Sequence, residues 1–182
     1  KFYNLDNLIN FRKNQLLSKG LDDAVNLQNS FNLIEALKDF KGDFLKKNLP
    51  EKNIGNCEYS INFLGHYFDY GMIHHLKWYE EVEKYIQKNS LILEIGGGFG
   101  SFSRIILNNK NVKYFLVDLP EANLMSNYYL QSHFPEKKIF NYSNLKENKL
   151  NECLNNYDIF ILPPRNLEKE DIKFDFIINS RS

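Results

Sequence analysis

Leu91-Ile92-Leu93-Glu94-Ile95-Gly96-Gly97-Gly98-Phe99-Gly100, running on into Ser101-Phe102-Ser103-Arg104-Ile105-Ile106-Leu107, decides the fold. Apolar residues around a single acid have the pattern of a buried strand, and the glycines that follow mark a tight turn. The segment from Ser101 has helical spacing. Strand, glycine turn and helix form the first unit of a nucleotide-binding α/β sheet. There the glycines let a ligand approach the main chain, and the helix start offers unpaired N–H groups.

The spacing narrows the ligand. A dinucleotide fingerprint requires G-x-G-x-x-G. Gly96 and Gly98 supply its first two glycines, but Ser101 stands at the third position and Gly100 comes one residue early. No G-K-[ST] follows, which excludes a P-loop. What fits is an acid followed by alternate glycines: Glu94, Gly96, Gly98, Gly100. Lys113-Tyr114-Phe115-Leu116-Val117-Asp118 then predicts a second strand that ends in an acid. A carboxylate there can accept both hydroxyl protons of a ribose.

Moving outward, the segment before the first strand is predicted mostly helical. Leu5, Leu8, Ile9, Leu16 and Leu17 share one face, with Gly20 as a helix stop. Phe31, Ile34, Leu37 and Phe40 repeat the spacing after Ser30, an N-cap residue. Leu49-Pro50 breaks the pattern, and Asn53 to Cys57 is rich in turn residues. Gly71 precedes an amphipathic helix carrying Ile73, Leu76, Tyr79, Val82 and Ile86. After the second strand, Pro120 suits the first turn of a helix. Lys138-Ile139-Phe140, Asp158 to Leu162 and Phe174 to Asn179 are further strands, the middle one stopped by Pro163-Pro164. The chain therefore divides into a helical N-terminal or cap region, 1–89, and an alternating strand–helix region, 90–182, whose sheet is parallel and covered on both faces.

Composition bounds the function. The chain has 182 residues, is 43% hydrophobic and 25% charged, and carries a formal net charge of +0. Neither a basic excess nor a basic stripe is present, which argues against nucleic acid as partner. Cys57 and Cys153 lie far apart and imply neither a disulfide framework nor a zinc site, so a reducing, cytoplasmic setting is the simplest one. No apolar run reaches membrane-spanning length, and no metal-ligand spacing is present.

Taken together, Asn53-Ile54-Gly55-Asn56, the Gly71 helix, the triple-glycine loop, Val117-Asp118-Leu119-Pro120-Glu121 and Ile177-Ile178-Asn179-Ser180-Arg181-Ser182 resemble, in that order, the bacterial putative sugar O-methyltransferases. These are class I S-adenosylmethionine-dependent enzymes. The resemblance covers roughly residues 50 to 182. It implies a Rossmann-like methyltransferase sheet of which this chain holds about half the strands, a C-terminally truncated form. It implies S-adenosylmethionine as cofactor and a small-molecule acceptor, a sugar or glycan precursor. By the same analogy Gly96, Gly98 and Gly100 contact the methionine part of the cofactor and Asp118 its ribose, with Glu94, Gly97 and Leu119 in the same cofactor-binding set. Asn179 and Arg181, at the carboxyl end of the last strand, are the substrate-side candidates.

Methyl transfer to a hydroxyl also needs a base. His66, His74 and His75 are the candidates, of which one at most serves, since adjacent helical residues point about 100° apart. Structural roles are expected for the rest. Glu94 orients the loop through backbone N–H groups, Arg104 lies on the surface, and Tyr59, Phe63, Tyr67, Phe68 and Tyr70 form an aromatic core cluster. The alternatives are another small-molecule methyltransferase, a truncated cofactor-binding fragment without turnover, and an NAD-type oxidoreductase, which the Ser101 position opposes.

Overall fold

The computed structural model describes residues 5–13, 34–58, 60–146, 149–168 and 170–179. Leu16, Leu17, Gly20, Ser30, Phe31, Tyr59, Ser180 and Arg181, all named above, lie outside them. The chain forms two compact units, residues 1–81 and 82–182.

In the first unit, helix α1 (Leu5–Ile9) is followed by Phe11 and Arg12, both buried. The Arg12 N–H donates to the Gly55 carbonyl at 2.9 Å. Gly55 has φ +88°, and a Cβ there would lie 2.6 Å from the Phe11 ring and 2.7 Å from the Arg12 side chain. Only glycine meets both conditions. The Asn53 side chain braces the same turn. Its oxygen accepts from the Cys57 N–H, and its amide donates to the Cys57 carbonyl and the Ser60 hydroxyl. Helix α2 (Gly42–Asn48) carries Asp43 in its first turn and Lys46 and Lys47 in its last, complementing the helix dipole. It stops at extended Leu49, as the residue before a proline requires. Phe44 of α2 stacks between Phe40 and Tyr79, with ring centroids 5.8 and 6.0 Å away.

The predicted helical character of 1–89 is interrupted by a β-hairpin. Strand β1 (Ile61–Phe63) pairs antiparallel with β2 (His66–Phe68). Leu64 and Gly65, at φ +51° and +83°, form the two-residue turn. Two consecutive left-handed residues match the twist of paired strands, which is why such turns make hairpins. Phe63 and Phe68, two of the aromatic residues of this stretch, do not share one core. Phe68 is buried, whereas Phe63 is 44% exposed beside the turn. Helix α3 (Tyr70–Val82) begins at Tyr70, ahead of Gly71, so Gly71 sits inside its first turn and does not precede the helix. The reason is Asp69, whose Oδ1 accepts the Met72 N–H at 2.9 Å, an N-cap bond. Met72, Ile73, Leu76 and Tyr79 form the buried face of α3.

The second unit opens with a 3-10 turn (Glu83–Tyr85) and then alternates strand and helix. The elements are β3 (Leu91–Ile95), α4 (Ser101–Asn109), β4 (Lys113–Val117), α5 (Pro120–His133), β5 (Ile139–Phe140), α6 (Leu150–Cys153), β6 (Ile159–Leu162), α7 (Pro164–Leu167) and β7 (Phe176–Asn179). The five strands form one parallel sheet in the order β5-β6-β4-β3-β7. The architecture is Rossmann-like. Strand β3, the first of this unit, lies inside the sheet, with β4, β6 and β5 to one side of it and β7 to the other.

Alternation along the strands builds two cores. Leu93, Phe115, Val117, Phe140, Phe160 and Leu162 share one face with Leu150 and Cys153. Phe115 and Phe160 stack there with centroids 4.3 Å apart. The opposite face presents Ile92, Glu94, Tyr114, Leu116, Ile159 and Ile161, all buried. Helix α4 packs on β4, and α5 packs on β6. Strand β7 is an edge, and it is not buried on both faces as its apolar sequence predicts. Ile178 is 8% exposed and Ile177 60%. Alternation sends the two side chains to opposite faces of the strand, and the face that carries Ile177 stays in water. Among the described residues no helix is long and apolar enough to cross a membrane.

Candidate functional site

Strands β3, β4 and β7 end in register at Ile95, Val117 and Asn179. Beyond their carboxyl ends lie the glycine loop, Asp118 and Leu119. This is where open α/β sheets bind ligands. The loop enters at Gly96 (φ +73°), whose N–H donates to the Val117 carbonyl at 2.8 Å. It turns through Gly98 (φ +56°) and Gly100 (φ +90°) into the first turn of α4. A Cβ added at Gly98 would meet nothing within 4 Å, so the main chain there faces open space.

Asp118 holds the loop from the end of β4. Its Oδ2 accepts the Gly98 N–H at 2.7 Å, and its Oδ1 accepts the N–H of Leu119 at 2.6 Å. A carboxylate oxygen has two lone-pair directions, so each oxygen keeps one for a further donor. Leu119 is 66% exposed, an apolar side chain beside that carboxylate. Asn123 donates to the Asp118 carbonyl at 2.9 Å and fixes the turn into α5.

Glu94 does something different from its predicted role. It does not work through loop N–H groups. It is buried and its Oε2 accepts two hydroxyl donors, Ser103 of α4 at 2.5 Å and Tyr114 of β4 at 3.0 Å. The same oxygen lies 2.9 Å from where a Gly97 Cβ would be, and Leu116 Cγ lies 2.7 Å from it. Glycine at 97 is thus required by crowding. Burial pushes the Glu94 carboxyl up, the negative charge of Asp118 adds to this, and the two hydroxyl donors oppose it. Burial and the neighbouring Glu94 raise the Tyr114 phenol well above its usual range, so it stays a donor.

Arg104 is not on the surface. It is 3% exposed, and its Nε donates to the Tyr129 hydroxyl at 3.1 Å. Tyr129 in turn meets Phe99 of the loop edge to face, centroids 5.0 Å apart. Ser103, Tyr114 and Tyr129 were not among the predicted site residues. The signal for Tyr114 was present, because strand alternation puts it on the face of Glu94. Tyr129 is brought to the loop only by the packing of α5.

The site thus brings together Glu94, Gly96, Gly97, Gly98, Gly100, Asp118 and Leu119. Asn179 is exposed at the end of β7, in register with Ile95. His66, His74 and His75 belong to the first unit. His66 Nδ1 lies 3.0 Å from the Leu49 carbonyl. A carbonyl only accepts, so Nδ1 is the donor in this contact. The His74 and His75 rings both lie near Trp78, with centroids 6.3 and 5.2 Å away. Among the described residues no group of three His, Cys, Asp or Glu side chains could hold a metal ion.

No family model matches the sequence, and no curated protein matches it either. Among solved structures, the chain is similar to a coclaurine N-methyltransferase determined with N-methylheliamine and SAH bound. The identity is 17%, the TM-score 0.39, and the match covers 91% of this chain and 40% of that one. The chain therefore spans less than half the length of that enzyme. The fold stands on its own strand order and register.

Proposed function

We propose that the chain binds S-adenosylmethionine at the glycine loop and serves a methyltransferase that acts on a small hydroxyl acceptor of the sugar class. The observation that carries this reading is the Asp118 clasp on Gly98. A phosphate-binding loop leaves its N–H groups for an anionic ligand. Here the Gly98 N–H is taken by a carboxylate, and a second acid, Glu94, lies against Gly97. Two acids at the loop disfavour a pyrophosphate and favour a ligand that carries positive charge.

The residues fit the cofactor in three respects. The main chain at Gly98 is open to a ligand. The two remaining lone-pair directions of Asp118 suit the two hydroxyls of a ribose. Leu119 offers an exposed apolar side chain for an aromatic base. When bound, S-adenosylmethionine supplies a methyl activated by its sulfonium sulfur. The chain's own part is to orient the ligand, exclude water and take up the acceptor's proton. One of His66, His74 and His75 is assigned as the base. Asn179 and Arg181 are assigned to the acceptor side.

Calorimetric titration with S-adenosylmethionine, S-adenosylhomocysteine and NAD tests the reading. Heat with the first two and none with NAD is expected. A folded chain that binds NAD, or that binds neither sulfur ligand, overturns it. The acceptor class is tested by methyl transfer from labelled cofactor to a panel of hydroxyl and amine compounds. Transfer to amines alone would remove the sugar assignment.

A further inference from the structure

The geometry points to Ser103 and Tyr114 as positioning residues for the cofactor loop: from α4 and β4 they fix the buried Glu94 carboxyl against Gly97, and so set the loop conformation that Asp118 clasps at Gly98. Only the binding part of this inference rests on the proposed function; the loop geometry stands apart from it.

Four observations carry it. First, both donors converge on one atom, Glu94 Oε2. Second, that atom, with Leu116, fills the space a Gly97 side chain would occupy. The carboxyl is therefore a wall of the loop, and its position depends on what anchors it. Third, the anchors come from the two elements the loop must align, the helix it enters and the strand that ends in Asp118. Fourth, all three side chains are sealed from water, with Ser103 and Tyr114 at 0% exposure and Glu94 at 1%. Solvent therefore offers no substitute donor if either hydroxyl is lost. The sheet register adds to this. Ile92 pairs with Tyr114 and Glu94 with Leu116, so the phenol reaches Glu94 along the diagonal of neighbouring strands. Around Glu94 the titratable groups are Tyr114 and Asp118, and both bear on its charge.

The test compares the full chain with Ser103→Ala and Tyr114→Phe. Residue-resolved amide exchange of Gly96 to Gly100, measured without ligand, should speed up by about tenfold in each variant, the scale of one hydrogen bond to an acid. Exchange in β4 and β6 should stay unchanged. Loop exchange unaltered in both variants overturns the inference; if one variant fails to fold, the other decides. The Glu94 carboxyl, followed by carbon NMR through a pH titration, should move further up in each variant, because each hydroxyl favours the charged form. A purely packing role for the two residues leaves that titration where it was and also overturns the inference.

S-adenosylhomocysteine affinity should fall about tenfold. Should the unaltered chain show no such binding while the loop still loosens in the variants, the cofactor reading fails and the positioning role stands. Should the variants keep both affinity and loop protection, the positioning role fails and the cofactor reading stands.

Discussion

Asp69 in the first unit and Glu94 in the second are both acids sealed from water, and their surroundings drive them in opposite directions. Burial pushes the Asp69 carboxyl up, but the Arg12 guanidinium overrides this, helped by the Met72 N–H and the positive charge of His75, and the net shift is downward. Arg12 and Asp69 form an ion pair with both side chains buried. Glu94 has only neutral hydroxyls to set against burial and the charge of Asp118, and its net shift is upward. The first acid is a charged tie that joins Arg12 to the start of α3. The second is a polar wall under the glycine loop, held by two neutral hydroxyls.

The sharpest way to break this comparison is to remove the cation. Arg12→Met should cost about 3–5 kcal/mol, because it leaves Asp69 charged and unpaired. Glu94→Gln, which keeps an oxygen to accept both hydroxyls, should cost less than the loss of that cation. Urea denaturation of both variants checks this, and equal losses would erase the distinction. For ligand binding, Asp118→Ala should weaken S-adenosylmethionine by about 1–3 kcal/mol, the cost of a lost hydrogen bond to a charged group. Unchanged affinity by calorimetry would remove Asp118 from the site.

The two acids should also separate by pH. A lowered carboxyl contributes stability that is whole above the ordinary carboxylate range and is lost as the pH falls through its folded value. Asp69→Asn should therefore flatten the acid limb of the stability curve. A raised carboxyl acts with the opposite sign. Stability falls as the pH rises from the ordinary glutamate value to the folded one, because the unfolded chain ionises first. Glu94→Gln should remove that decline. Thermal melts across the two windows read both effects.

Smaller effects distinguish glycines required by crowding from those required by backbone. Gly97→Ala forces a Cβ against Glu94 and Leu116 and should cost about 1–3 kcal/mol. Gly98→Ala meets open space and should cost about 1 kcal/mol, from its left-handed φ alone. Smallest is a gain. Leu64, left-handed and 83% exposed at the hairpin turn, should yield about 0.5 kcal/mol when replaced by asparagine. Melting temperatures of the three variants test the order.

The second unit was legible because its signals are local. Apolar runs ended by glycine, proline or an acid place β3, β4 and β6, and the glycine spacing places the loop. The hairpin at Ile61 to Phe68 was not legible. Its strands are three residues each, too short for alternation to show, and its turn begins with leucine where asparagine or glycine would give it away. Arg104 was misplaced for a related reason. A charged residue in the first turn of a helix is ordinarily solvated, whereas here the packing of α5 brings the Tyr129 hydroxyl to it as a buried partner.

By itself the sequence determined the strand–loop–helix unit, the alternation behind it and the two acids that flank the loop. These rest on neighbours a few residues apart, where backbone preference and periodicity act directly. Only the tertiary structure decided what the acids do. Glu94 meets Tyr114 and Asp118 meets Gly98 across twenty residues, and Asp69 meets Arg12 across fifty-seven. Whether a carboxyl ends up charged or neutral depends on which groups the fold brings to it and how far it excludes water, and neither is written in the residues beside it.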